Sequence, residues 1–182
     1  MAGVLDRVRA GRESAGLALV ADAGAVVEAA AAMAGRFRRG SRLLAFGRGA
    51  SAADAAHVAV EFSHPVIVGK LALPALCLGD EPGLLPVLGR PGDIAVGVRP
   101  AAGDFTAARD LGMLTVALVA AATCDEGTTA DASARGRGAG VGADHVLAAH
   151  SDDPLVAREI HITVYHLLWE LAHVFLESEE GA

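Results

Sequence analysis

His57 and Glu61 stand four residues apart in the segment SAADAAHVAVEF. On a helix, side chains at that spacing share one face. An imidazole beside a carboxylate is a pair that can move protons near neutral pH or hold a divalent cation. Immediately before them, Gly47, Arg48, Gly49, Ala50 and Ser51 join an apolar run, LLAF, to the helix. The two glycines allow a tight turn and a close backbone approach. The first turn of a helix presents unpaired N–H groups and partial positive charge. With the Ser51 hydroxyl added, the turn is a place for a phosphate or carboxylate. One helix therefore brings together an anion site and an acid/base or metal-ligand pair.

The surrounding elements must hold that helix at the end of a strand. Short apolar runs at Leu43–Phe46, Ala75–Leu78, Asp93–Val98 and Leu114–Val119, with a shorter one at Asp144–Ala148, read as five strands. Helical stretches separate or flank them at about Gly16–Arg38, Ser51–Phe62, Asp104–Leu111 and Pro154–Glu177, the last opened by a proline. This alternation predicts an α/β fold: a doubly wound, parallel five-stranded sheet flanked by helices in a flavodoxin-like three-layer sandwich. One domain is expected over residues 1–182. It would comprise a helical segment to about residue 40, a core over about 41–150 and a final helix over about 154–177. Ligands of such sheets bind outside the carboxyl ends of the strands, where the turn after Phe46 falls. The loops at Gly79–Pro91 and Thr123–Gly142 are rich in small residues, and the second is long enough to cover a site.

Composition sets the class. The chain has 182 residues, 53% of them hydrophobic but only 4% aromatic, which suits alanine-rich helices on a Val/Leu sheet and argues against disorder. A formal charge of −7 disfavours a nucleic-acid partner. Cys77 and Cys124 are too few for a disulfide framework and lack metal-ligand spacing, so a reducing compartment is expected. The N-terminal residues are charged too early for a targeting segment, and the run from Gly16 to Gly35 is interrupted by Asp22 and Glu28. The expectation is a soluble, cytoplasmic protein with no membrane partner.

Read through Gly47, Gly49, Ser51, Asp54, Ala55, His57 and Glu61, the pattern GxGxSxxDAxHxxxE resembles the sugar isomerase (SIS) domain, and within it the phosphoheptose isomerases. The segment REIHITVYH, with Glu159, His161 and His166, is similar to the last helix of that family. The resemblance implies a phosphosugar isomerase. It implies aldose–ketose isomerisation of a sedoheptulose 7-phosphate-type substrate through an enediol. It also implies His57, Glu61 and His166 as the site's lining, with Glu61 and His166 the catalytic candidates. Some members bind zinc with these side chains and a glutamine that opens the last motif. Here that position is Arg158, which cannot ligate a metal, so three protein ligands, His57, Glu61 and His166, are what zinc would find. Such a set suits the reaction: Glu61, shielded in a cleft, would serve as base, and His166 as acid or base near neutral pH. Lys70 lies nine residues after Glu61, where the family tends to carry an arginine, and faces either an anionic ligand or water.

The chain also departs from the family. Its segment VRPAAGDFTAARD stands where a serine-rich second phosphate turn is usual, and Arg99, Gly103 and Thr106 remain there without the serine cluster. Arg48 and Ala50 replace an amide side chain and a glycine in the first turn. Two readings follow. Either Arg48 and Arg99 supply charge to a different phosphorylated sugar or anion, or the chain is a catalytically degenerate SIS domain that senses phosphosugars or binds protein. The resemblance also implies a homo-oligomer, usually a tetramer with sites where subunits meet. The apolar N-terminal helix and the last helix, with Tyr165, Leu168, Trp169, Leu171, Val174 and Phe175, are the expected contact surfaces.

Overall fold

Leu43–Gly47 forms strand β1, buried at all five positions, as a strand covered on both faces must be. A computed structural model describes residues 2–120 and 140–178. Strand β2 is Ala75–Cys77, β3 Ile94–Val98, β4 Leu114–Val119 and β5 His145–Ala148. All neighbouring pairs run parallel, in the order β2-β1-β3-β4-β5. The five strands fall close to the ranges read from the sequence.

Alternate residues of β1 feed two cores. Leu43 and Ala45 face one side, with Met33, Val58, Val96 and Val116. Leu44 and Phe46 face the other, with Leu85, Phe105, Ala108 and Ala117. The first layer holds helices α2 (Ala23–Phe37), α3 (Ala52–Ser63) and α6 (Pro154–Ser178). The second holds two short helices, α4 (Leu85–Leu88) and α5 (Thr106–Asp110). A 3-10 turn at Pro82–Leu84 leads into α4, so the segment between β2 and β3, read as a loop, carries helical structure. Most of the long loop expected at 123–142, with Cys124, lies outside the described residues.

The N-terminal helix differs from expectation. Helix α1 starts at Ala2 and runs to Ala21, and a bend of 59° at Asp22 separates it from α2. Its early charges do not prevent helix formation, because Arg9 and Glu13 pair one turn apart at 2.9 Å. At the bend, the Asp22 carboxylate engages His150 beyond β5. Among the described residues no single helix is long and apolar enough to cross a membrane.

With this strand order, the connections leave the carboxyl ends of β1 and β3 in opposite directions. The crevice between those ends is the switch point where ligands of doubly wound sheets bind. The glycine turn after β1 and Arg99 after β3 both border it.

Candidate functional site

Gly47 ends β1 and the backbone folds back sharply on it. A Cβ at this position would stand 2.2 Å from the Ser51 carbonyl oxygen, so only glycine fits. Gly49 is at φ +55, in the left-handed region that glycine tolerates, and opens the 3-10 turn Gly49–Ser51 that leads into α3. Ser51 is 6% exposed at the junction.

The turn is already engaged by carboxylates. Gly49 N–H donates to Asp80 Oδ2 at 3.0 Å. The Arg48 guanidinium pairs with Asp104, which also accepts from Ala101 N–H at 2.7 Å. Arg48 Nη1 lies 3.8 Å from Asp80 as well. Arg48 therefore braces the loops after β1, β2 and β3, and its charge is met by the protein's own acids. Asp80 and Asp104 were not singled out from sequence, although Asp80 follows the carboxyl end of β2, where ligand-side residues gather.

One and two turns into α3, His57 and Glu61 point toward α6. His57 Nε2 lies 3.0 Å from Glu61 Oε1, and His166 Nε2 lies 3.4 Å from the same oxygen. The Glu61 side chain is 12% exposed, whereas the imidazoles of His57 and His166 are 42% and 46% exposed. The carboxylate sits at the floor and the two rings at the mouth. One ligand atom from each of the three residues lies within 4.8 Å of the others. A tetrahedral ion with ligand bonds of ~2.0–2.1 Å needs its ligands about 3.4 Å apart, so the set fits a zinc-sized cation after a small contraction.

Parallel packing of α3 on α6 makes a ladder of contacts across the seam. Arg158 pairs with buried Asp54 at 2.8 Å, Tyr165 reaches His57 Nδ1 at 2.6 Å, and His166 meets Glu61 one residue later. Arg158 is thus directed to Asp54, which gives the Asp of the first motif a partner that sequence alone did not supply. Burial, reinforced by Asp54 and Glu61, pushes the Tyr165 hydroxyl well above its ordinary range, so it stays protonated. His161 turns the other way, into the core, and bonds the Val119 carbonyl at 3.1 Å from Nε2. Its burial, with a smaller contribution from Arg99, lowers its pKa and favours the neutral ring.

Two basic residues stand differently from the rest. Lys70 follows α3 at its far end and pairs with Glu177 near the end of α6 at 2.6 Å, away from the glycine turn. Lys70 stays partly exposed and closes an ion pair between the far ends of the two helices. Arg99 is exposed at φ +52, a left-handed backbone that non-glycine residues seldom adopt and that clusters at functional sites. Its N–H donates to the Leu118 carbonyl at 2.8 Å.

No family model matches the chain. A phosphoheptose isomerase of Desulfovibrio desulfuricans is 33% identical, with 85% of this chain and 79% of that one aligned. A phosphoheptose isomerase of Roseiflexus sp. is 29% identical over 97% of this chain and 94% of its own length. Among solved structures, a phosphoheptose isomerase from Neisseria gonorrhoeae superposes with a TM-score of 0.70 at 23% identity, covering 93% of this chain and 98% of that one. One from Francisella tularensis gives 0.69 at 22% identity with the same coverage. The solved structures establish the shared fold, and the sequence relatives establish descent: the chain belongs to the phosphoheptose isomerase family.

Proposed function

We propose that this protein isomerises a phosphorylated ketose of the sedoheptulose 7-phosphate type to the corresponding aldose. The observation that carries this reading is the convergence of His57, Glu61 and His166 beside a glycine turn at the sheet's switch point. The turn at Gly47–Ser51 would receive the phosphate through the Ser51 hydroxyl and the amides that open α3. Glu61, two turns deeper, would take a proton from one carbon of the enediol pair and return it to the other. Both imidazoles meet Oε1, which leaves the other carboxylate oxygen outside those contacts. His166 would shuttle a proton on the sugar oxygens, and Arg99 stands at the rim as a positive charge. A zinc ion, if held by His57, Glu61 and His166, would supply Lewis-acid polarisation of the sugar oxygens. A cytoplasmic homotetramer is the assembly and setting proposed with this activity.

A second reading has a specific observation behind it. Asp80 occupies the Gly49 N–H, and Asp104 occupies Arg48, so acidic groups hold positions a phosphate would want. A sensing or protein-binding SIS domain that does not turn over substrate would have those features. Incubation with sedoheptulose 7-phosphate, with the aldose product followed by mass spectrometry or NMR, separates the two. Product that disappears in Glu61→Gln supports isomerisation. Binding by calorimetry without product supports phosphosugar sensing, and neither binding nor product removes both isomerisation and sensing and leaves protein binding.

A further inference from the structure

Tyr165 has a residue-specific place in the site. Its side chain is fully buried, yet its hydroxyl is within 2.6 Å of His57 Nδ1. Its ring packs edge-on against both imidazoles, with centroids 5.1 Å from His57 and 5.0 Å from His166. The other face of the contact is equally constrained. His57 Nε2 points at Glu61 Oε1 at 3.0 Å, and a carboxylate can only accept. A neutral imidazole carries one N–H, so the proton on Nε2 leaves Nδ1 bare. The partner of a bare Nδ1 must donate, and a phenol can.

We propose that Tyr165 is a positioning residue: its hydroxyl donates to His57 Nδ1, pins the ring in place and holds the Nε2–H that Glu61 requires on the carboxylate. The chain Tyr165–His57–Glu61 thereby orients the carboxylate through Oε1 while its second oxygen lies outside that contact. A hydroxyl also accepts. When Nε2 gives its lone pair to a cation, the ring's one N–H moves to Nδ1 and the same Tyr165 oxygen can receive it. One phenol therefore serves the imidazole in both tautomers, a versatility that a carbonyl or a carboxylate partner lacks. The proposal rests on the site described above but not on turnover, since it concerns a bond within the protein.

The test is nitrogen NMR of the histidine rings in the full-length, metal-free protein near pH 8, with His57→Gln to assign the signals. The expected result is a protonated Nε2 and a bare Nδ1 for His57. A protonated Nδ1 in the parent protein overturns the proposal before any variant is made. In Tyr165→Phe, which conserves ring volume, Glu61 still holds the Nε2 proton but the bare Nδ1 loses its donor, so the Nδ1 resonance should move toward the value of an unbonded ring nitrogen, and an unchanged Nδ1 resonance overturns the proposal too. Competition titration with a chromophoric chelator reads the second half. Zinc affinity should fall by roughly 10–100-fold in Tyr165→Phe, the usual consequence of losing a group that orients a metal-bound histidine. Equal zinc affinity overturns the accepting role. A parent protein that holds the expected tautomer but does not isomerise sugar phosphates supports the proposal while refuting the isomerase reading.

Discussion

At the residue scale, the division of labour rests on Glu61. Glu61→Gln keeps the shape and removes the base, so the isomerisation rate should fall by about 10²–10⁴-fold while binding of the sugar phosphate, read by calorimetry, stays within a few-fold. A loss of binding with the rate per bound complex unchanged would place Glu61 in binding instead. Ser51 is expected to act on the anion: Ser51→Ala should weaken binding of sugar phosphate by about tenfold, roughly 1.4 kcal/mol for one hydrogen bond to a charged group. Unaltered affinity for both sugar phosphate and inorganic phosphate would show that the turn is not the phosphate site. His57 and Glu61 were legible as a pair because a helix fixes what lies four residues on. Tyr165 and Asp80 were not, since each acquires its role from a residue on another element.

At the scale of elements, the turn after β1 and the anchoring of α6 carry the risk. Gly47→Ala would push a methyl to 2.2 Å from the Ser51 carbonyl, in backbone that cannot swing aside. The expected cost is about 1–3 kcal/mol or more, which for a chain of this size lowers Tm by several degrees. Differential scanning fluorimetry checks it, and an unchanged Tm would mean that the turn relaxes freely. His161 ties α6 to the end of β4 through the Val119 carbonyl. Its folded pKa lies below the unfolded value, so between the two the unfolded chain binds more protons. Stability should therefore fall as pH drops below about 6.5, and His161→Gln, which keeps an N–H donor but does not titrate, should flatten that part of the profile. Urea titrations of both proteins from pH 5 to 8 measure the slopes, and equal slopes would remove His161 from the effect.

For the whole molecule, assembly is the open quantity, and the surface says where it would form. The last helix is less available than its sequence suggests: Tyr165, Leu168 and Trp169 are at most 5% exposed within one chain, packed among residues of α2 and α3. Of the residues read there, Val174 remains 50% exposed, and further apolar surface lies elsewhere. Val4, Leu5, Val8, Leu17 and Val20 are exposed along α1, and Val66, Ile67, Val68 and Leu71 along the loop after α3. Patches of this kind on a folded chain mark contact surfaces, and closed symmetry favours an even number of copies. Light scattering at micromolar concentration should give a mass of two or four chains, and a mass near the 18.4 kDa of one chain would rule the assembly out.

Periodicity located the five strands and the helices α2, α3, α5 and α6, but not α4 or the first part of α1, because buried parallel strands must be short and apolar while longer packed helices must show a 3.6-residue stripe. The glycine turn and the His57–Glu61 pair were equally local: a turn needs its glycines, and a helix sets its own spacing. Only the tertiary structure decided the rest. It gave Arg158 to Asp54, Arg48 to Asp104 and Lys70 to Glu177, and it set Tyr165 behind His57. A charge or hydroxyl at the end of a side chain has several partners within reach. Which one it takes depends on how helices from distant parts of the chain are laid together, and sequence spacing carries no record of that.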